Sequence, residues 1–170
     1  MKKIATLAAG FLLTLSAFAQ KYAFVDTDYI LNNIPAFKTA QTELDALSKQ
    51  YESEITTQRD AVDKMWRDYQ GEKVLLSDEV KAQREEEIIN KEREVKKLQN
   101  DYFGDEGLLF KKREQLVSPI QQEVYNAVKE IANENGYAVI FDSSGGPVML
   151  YTNPRYDVSD EVLKRLGYKN

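Results

Sequence analysis

Residues 36–79 read AFKTAQTELDALSKQYESEITTQRDAVDKMWRDYQGEKVLLSDE, and this stretch decides the fold. From Ala36 to Lys73 it contains no proline and a single glycine, Gly71. Its apolar and aromatic residues, Leu44, Leu47, Tyr51, Ile55, Val62, Met65 or Trp66, and Tyr69, recur every three or four positions, which keeps one face of a helix apolar. The eleven-residue spacing of Leu44, Ile55 and Trp66 predicts a nearly straight or slightly right-handed path rather than a tight left-handed supercoil. Such a helix is a strut, rising about 1.5 Å per residue and roughly 60 Å long. It ends at Val74-Leu75-Leu76-Ser77-Asp78-Glu79. There Ser77 can accept from the free N–H groups of a new helix, and two carboxylates suit that helix's positive end. The chain is predicted to reverse at this point.

The returning half carries Ile88, Val95, Tyr102, Leu109 and Leu116 at every seventh position, with Leu98 between, so it can lie along the first helix as a coiled-coil partner. Arg84, Lys91, Asp105 and Lys112 occupy the alternate positions. Two antiparallel helices have no third layer, so the seam is thin. Gly104 and Gly107 each weaken a helix by about 1 kcal/mol relative to alanine and mark a place that bends. The hairpin spans residues 36–118. Val117-Ser118-Pro119-Ile120 reads as a restart, with Ser118 as cap and Pro119 at the first helical position, and predicts a break or kink there.

Outward from the hairpin lie two flanks. Residues 1–19 have a positive start at Lys2 and Lys3, an apolar run from Ile4 to Leu15 and a small-x-small ending at Ala17-Phe18-Ala19. They read as a cleavable secretory signal, with the mature chain beginning at Gln20. The apolar run is shorter than the ~20 residues a membrane span needs. Residues 20–35 and 119–170 form the second predicted domain, a small β/α body. Lys21-Tyr22-Ala23-Phe24-Val25-Asp26 reads as a strand, followed by a turn of helix at Tyr29-Ile30-Leu31 capped by Asp26 or Thr27 and stopped before Pro35. After a helix with Ile120, Val124, Ala127 or Val128, and Ile131 on one face, Asn135-Gly136 is a left-handed stop. Tyr137 to Asp142 is the strongest strand, and Val148 to Tyr151 is predicted to return beside it as a hairpin. Ser159-Asp160-Glu161-Val162 opens a last helix with Val162, Leu163 and Leu166 inward. Three short strands make too small a sheet to stand alone and leave open edges, so a homo-oligomer held by its strands is expected.

Composition excludes several classes of function. Without Lys2 and Lys3, 21 basic residues face 28 acidic ones, a net charge of −7, which argues against nucleic acid or an anionic membrane as the main partner. The chain has no histidine and no cysteine, so histidine-based nucleophilic sites, histidine-ligated zinc and disulfides are all absent. Asp26-Thr27-Asp28 at a strand end has the outline of a phosphoryl-transfer motif. The acidic pair and lysine that such a site needs have no nearby strands to carry them, and capping accounts for these residues. Gly145-Gly146 joins strand to strand and lacks a phosphate loop's Gly-Lys-Ser/Thr ending. No enzyme, metal or cofactor is expected.

The order of these pieces resembles the Skp (OmpH) family of periplasmic chaperones. The similarity rests on Tyr22-Ala23-Phe24-Val25-Asp26 with Tyr29-Ile30-Leu31 and Pro35, the charged hairpin, Leu116-x-x-Pro119-Ile120, Ala127-Val128-x-x-Ile131-Ala132 and Gly136-Tyr137. It closes with Asp157-Val158-Ser159-Asp160-Glu161-Val162-x-x-x-Leu166. The resemblance implies an α+β, mostly helical fold: a long antiparallel helical hairpin arm on a small β body that trimerises into a barrel-like core. It further implies a periplasmic, ATP-independent holdase that keeps unfolded outer-membrane proteins in a cavity between three arms, with no stable membrane insertion. Better-known members are strongly basic. This chain is acidic, with nine basic and nine acidic residues between Lys64 and Lys97, so a lipopolysaccharide site is not carried over. The competing reading is an exported coiled-coil adaptor or assembly factor that binds one folded partner.

Candidate residues follow. Met65, Trp66, Tyr69, Tyr102, Phe103, Leu108 and Phe110 are large for a two-helix seam, and neighbours such as Met65-Trp66, Tyr102-Phe103 and Leu108-Leu109-Phe110 cannot all point into it. The surplus is expected to face the client. Trp66, Tyr69, Phe103 and Phe110 stay divided between seam and client surface. Phe24, Val25, Val139, Ile140, Phe141, Val148 and Leu150 are the candidates for joining copies.

Overall fold

A computed structural model describes residues 21–145, 149 and 151–169. The amino-terminal signal read from the sequence, and Val148 and Leu150, lie outside the described residues. In chain order the elements are β1 (Lys21–Val25), α1 (Thr27–Asn32), α2 (Pro35–Glu72), a 3-10 turn (Lys73–Leu75), α3 (Asp78–Phe103), α4 (Leu108–Asn135), β2 (Tyr137–Asp142), a second 3-10 turn (Pro154–Tyr156) and α5 (Ser159–Arg165). The fold is thus mostly helical with one small sheet. Two compact units result: an arm, Pro35–Ile120, and a body that runs to Ile34 and resumes at Gln121.

In the arm, Pro35 opens α2 where its missing N–H costs nothing. The helix then runs unbroken for 38 residues. Ser77 caps α3, accepting from Val80 N–H, with Asp78 and Glu79 in the first turn. Ile55, Val62 and Tyr69 of α2 and Ile88 and Val95 of α3 form the buried cluster, with Met65, Trp66, Leu76, Leu98 and Tyr102 packed against it. From Ile55 onward burial recurs every seven residues, so Tyr69 takes the interior place that the eleven-residue reading gave to Trp66.

The returning half differs from its sequence reading in one respect. No new helix starts at Ser118: α4 carries Pro119 inside it and continues to Asn135. The interruption falls instead at Gly104–Gly107, where Gly104 leaves the helix in an extended conformation. A proline removes one hydrogen bond and crowds one carbonyl, a strain the long helix tolerates. Two glycines three residues apart remove side-chain support from a whole turn.

In the body, β1 and β2 pair in parallel, with Phe24 opposite Phe141 and Ala23 opposite Ile140. On its other side β1 meets Asp157 and Val158, whose N–H donates to Phe24 O at 2.9 Å. One sheet face presents Ala23 and Val25, both buried; Ile30, Ile34, Val124, Ala127, Ile131, Val162 and Leu163 supply the remaining core of this unit. Gly136 closes α4 with φ of +68°, as Asn135-Gly136 predicts. The helix at 159–165 is started by Asp157, which accepts from both the N–H and the hydroxyl of Ser159, so Ser159 is inside the helix and not its cap. The hairpin strand predicted at 148–151 falls partly outside the described residues, and Met149 and Tyr151 carry no regular structure. The described sheet has two strands.

Candidate functional site

The arm's two halves are joined by a repeated polar contact as well as by their thin apolar seam. Trp66 Nε1 donates to Glu92 at 2.7 Å, Tyr69 Oη donates to Glu85, and Tyr102 Oη donates to Glu54 at 2.8 Å. In each case an aromatic side chain covers the seam and its polar tip reaches a carboxylate on the facing helix. The bond to Glu85, with burial and the carboxylate's charge behind it, pushes the Tyr69 phenol up to about 12. The bond to Glu54 likewise raises Tyr102. Tyr51 stacks on Tyr102 with ring centroids 3.9 Å apart and meets Phe103 edge-on. Below the interruption, Lys112 pairs with Glu43 at 2.7 Å.

These contacts sort the candidate residues. Tyr69 is 3% exposed and belongs to the arm's interior. Met65, Trp66 and Tyr102 are half-buried against it. Phe103, Leu108 and Phe110 are exposed and flank the Gly104–Gly107 interruption. Beside it lies a recess of about 340 Å³ lined by Phe103, Gly104, Asp105, Leu109, Phe110 and Arg113. Two further residues were not singled out from the sequence: Val74 and Leu75, at the reversal between α2 and α3, are 90% and 87% exposed. Their place in a predicted turn, with no helix face to pack on, was the available signal.

The body offers a second surface. Tyr22, Phe24, Val139 and Phe141 share the sheet face opposite Ala23 and Val25. Phe24 and Phe141 lie 5.8 Å apart by ring centroid, and Tyr22 packs on Tyr156. Val139 and Phe141 are 47% and 46% exposed. Of the candidates for joining copies, Phe24, Val139 and Phe141 are therefore on this face, whereas Val25 and Ile140 are on the other, Val25 buried and Ile140 half-buried.

A long antiparallel helical hairpin, interrupted once on its returning side and inserted between two parallel strands, defines the class of the protein. A family model for outer membrane proteins (OmpH-like) matches residues 21–166, and the chain belongs to that family. A crystal structure from Caulobacter crescentus of a candidate outer membrane chaperone (OmpH-like) shares the fold, with a TM-score of 0.66 at 15% identity, covering 86% of this chain and 83% of that one. No curated protein matches the sequence. Among the described residues, no helix is long and apolar enough to cross a membrane.

Proposed function

We propose that the protein is an ATP-independent periplasmic holdase that binds unfolded outer-membrane proteins between the helical arms of a homotrimer and keeps them from aggregating. Membership of the OmpH-like family supports a chaperone role. The observation that carries the finer reading is the exposed apolar set on the arm, Phe103, Leu108 and Phe110 with Val74 and Leu75, set among charged neighbours. Single exposed apolar side chains diluted by charge suit weak, repeated contacts with an unfolded chain. An adaptor for one folded partner calls for a continuous, well-filled seam, and here the returning helix is interrupted at Gly104–Gly107 beside exposed apolar side chains.

In this reading residues 20–35 and 119–170 join the copies and residues 36–118 hold the client. The face formed by Tyr22, Phe24, Val139 and Phe141 is the candidate joining surface, because a sheet with one apolar face in water is stabilised by covering it. Localisation in the periplasm is supported by the family and by the amino-terminal signal read from the sequence. Native mass spectrometry of residues 20–170, alone and after dilution of a urea-unfolded outer-membrane protein into it, tests both parts. The expected result is a trimer that takes up one unfolded client and none when the client is folded first. A monomer or dimer that ignores the client rejects the assignment and favours the adaptor.

A further inference from the structure

The interruption between α3 and α4 has a backbone that only glycine permits. Gly104 N–H donates to Asn100 O at 2.8 Å, Gly107 N–H to Gly104 O at 2.8 Å, and Lys111 N–H to Gly107 O at 3.1 Å. A Cβ on Gly104 would stand 2.5 Å from Asn100 O, and one on Gly107 would stand 2.7 Å from Tyr102 O. Neither position accepts a side chain in this form. Yet Gly104 has φ of −66°, already in the helical range, and leaves the helix through ψ, which is 171°.

The pairing across the seam shows that the interruption adds no length. Tyr102 meets Glu54 above it and Lys112 meets Glu43 below it. Eleven residues of continuous α2 separate the two glutamates, and ten residues of the returning chain separate their partners. Within the uninterrupted part, Trp66 to Glu54 is twelve residues against ten from Glu92 to Tyr102. A continuous helix from Tyr102 to Lys112 would advance about 15 Å, against about 16 Å along α2. The same residues therefore fit the same partners with or without the break.

We propose that Phe103–Leu108 is a two-state element: the broken form described above, and a second form in which α3 and α4 run on as one helix with the seam register unchanged. The two forms present different surfaces. The recess beside Phe103 and Phe110 is lined by the broken backbone itself, through Gly104 and Asp105, and closes when the helix closes. A second recess of about 380 Å³ on Asn100, Gly104, Glu106, Gly107, Leu108 and Lys111 closes with it. Glycine at both ends gives the backbone access to either form without a side-chain clash. The proposal concerns the arm's backbone and stands whether or not the arm binds clients.

The test compares the full protein with the double variant Gly104→Ala/Gly107→Ala, whose methyl groups clash only in the broken form. Backbone carbon shifts of residues 101–111 are expected to become helical throughout, with amide exchange at Asp105–Leu108 slowed by about tenfold or more. Spin labels at Glu43→Cys and Lys112→Cys, added to natural and variant arms alike, are expected to report the same separation in both. Coil shifts at 104–107, or a changed separation, would overturn the proposal. Asp105→Ala/Glu106→Ala provides a second reading, since it favours helix while leaving both glycines in place. A gain of helical shift is expected there too, and its absence would overturn the proposal even if the glycine variant fails to fold.

Discussion

Arm and body stabilise themselves by opposite means. Among the described residues, of the six most deeply buried large side chains Ile30, Ile34, Ile131, Val162 and Leu163 belong to the body and only Ile88 to the longer arm. The body's polar contacts run through backbone groups and short side chains and tie distant segments together. Asp26 N–H donates to Ser159 Oγ at 2.8 Å, Thr27 donates to Asp142 through both its backbone N–H and its hydroxyl, and Ser143 N–H donates to Val25 O. The arm relies on long side chains lying across an exposed seam. Residues that close a core in three dimensions unfold together, whereas a two-helix seam opens locally. The body is built to stay shut and the arm to yield.

The largest effect that would test this contrast is Leu163→Ala, with an expected loss of about 3–4 kcal/mol, because the cavity sits in a core that cannot collapse. Chemical denaturation should show the loss as global, with body and arm amides both deprotected. Ile88→Ala should cost less, about 2–3 kcal/mol, since a thin seam relaxes around the gap. Its amide exchange should rise in the arm while body amides stay protected. Equal deprotection of both units by Ile88→Ala would erase the distinction between them.

Asp142 gives a smaller and pH-dependent handle. Burial pushes its carboxyl up, but hydrogen bonds from Thr27 and Ser144 outweigh this and hold it below its ordinary value of 3.8. A carboxylate with a depressed folded pKa contributes stability above its unfolded pKa and loses it as pH falls through the folded one. Asp142→Ala should therefore cost about 1 kcal/mol near neutral pH, and the difference from the natural chain should vanish on acidification below 3.8. Tyr69 runs the other way. Raised from 10.0 to about 12, its protonated form supports the arm fully below 10.0, and that support is lost as pH rises towards 12. An absorbance titration of Tyr69→Phe should lack the latest-ionising phenol. Val74→Ser/Leu75→Ser should be the mildest change, within about 0.5 kcal/mol in stability, because both side chains already meet water. If these two residues touch clients, client uptake is what should fall.

Much of this contrast can be read in the chain before any coordinates. α2, β1 and the cap at Ser77 follow from local signals: apolar spacing, a short apolar and aromatic run, and a hydroxyl ahead of two carboxylates. The break was harder, because Ser118-Pro119 carries a conventional start signal while Gly104 and Gly107 read only as weak points. What decides between them is how much backbone support each removes within a long helix, which a pairwise motif does not express. The parallel pairing of β1 with β2, and which aromatics point outward, depend on contacts between distant residues. Tyr69 and Phe103 look equivalent as large aromatics near a seam, and one is interior while the other is exposed.

The parallel pairing has a consequence for how the chain reaches its native state. Between Val25 and Asp142, which pair in the sheet, lie 116 residues. Closing so long a loop from a random chain is entropically costly, and pairings of such high sequence separation form slowly. The helical hairpin, by contrast, is stitched by local contacts around one reversal and can form early. Once formed, it shortens the effective loop to the few residues beyond its two ends. The kinetic order is then arm first and sheet last, so that slowing the reversal at Val74–Ser77 should delay the appearance of the sheet far more than it changes its final stability.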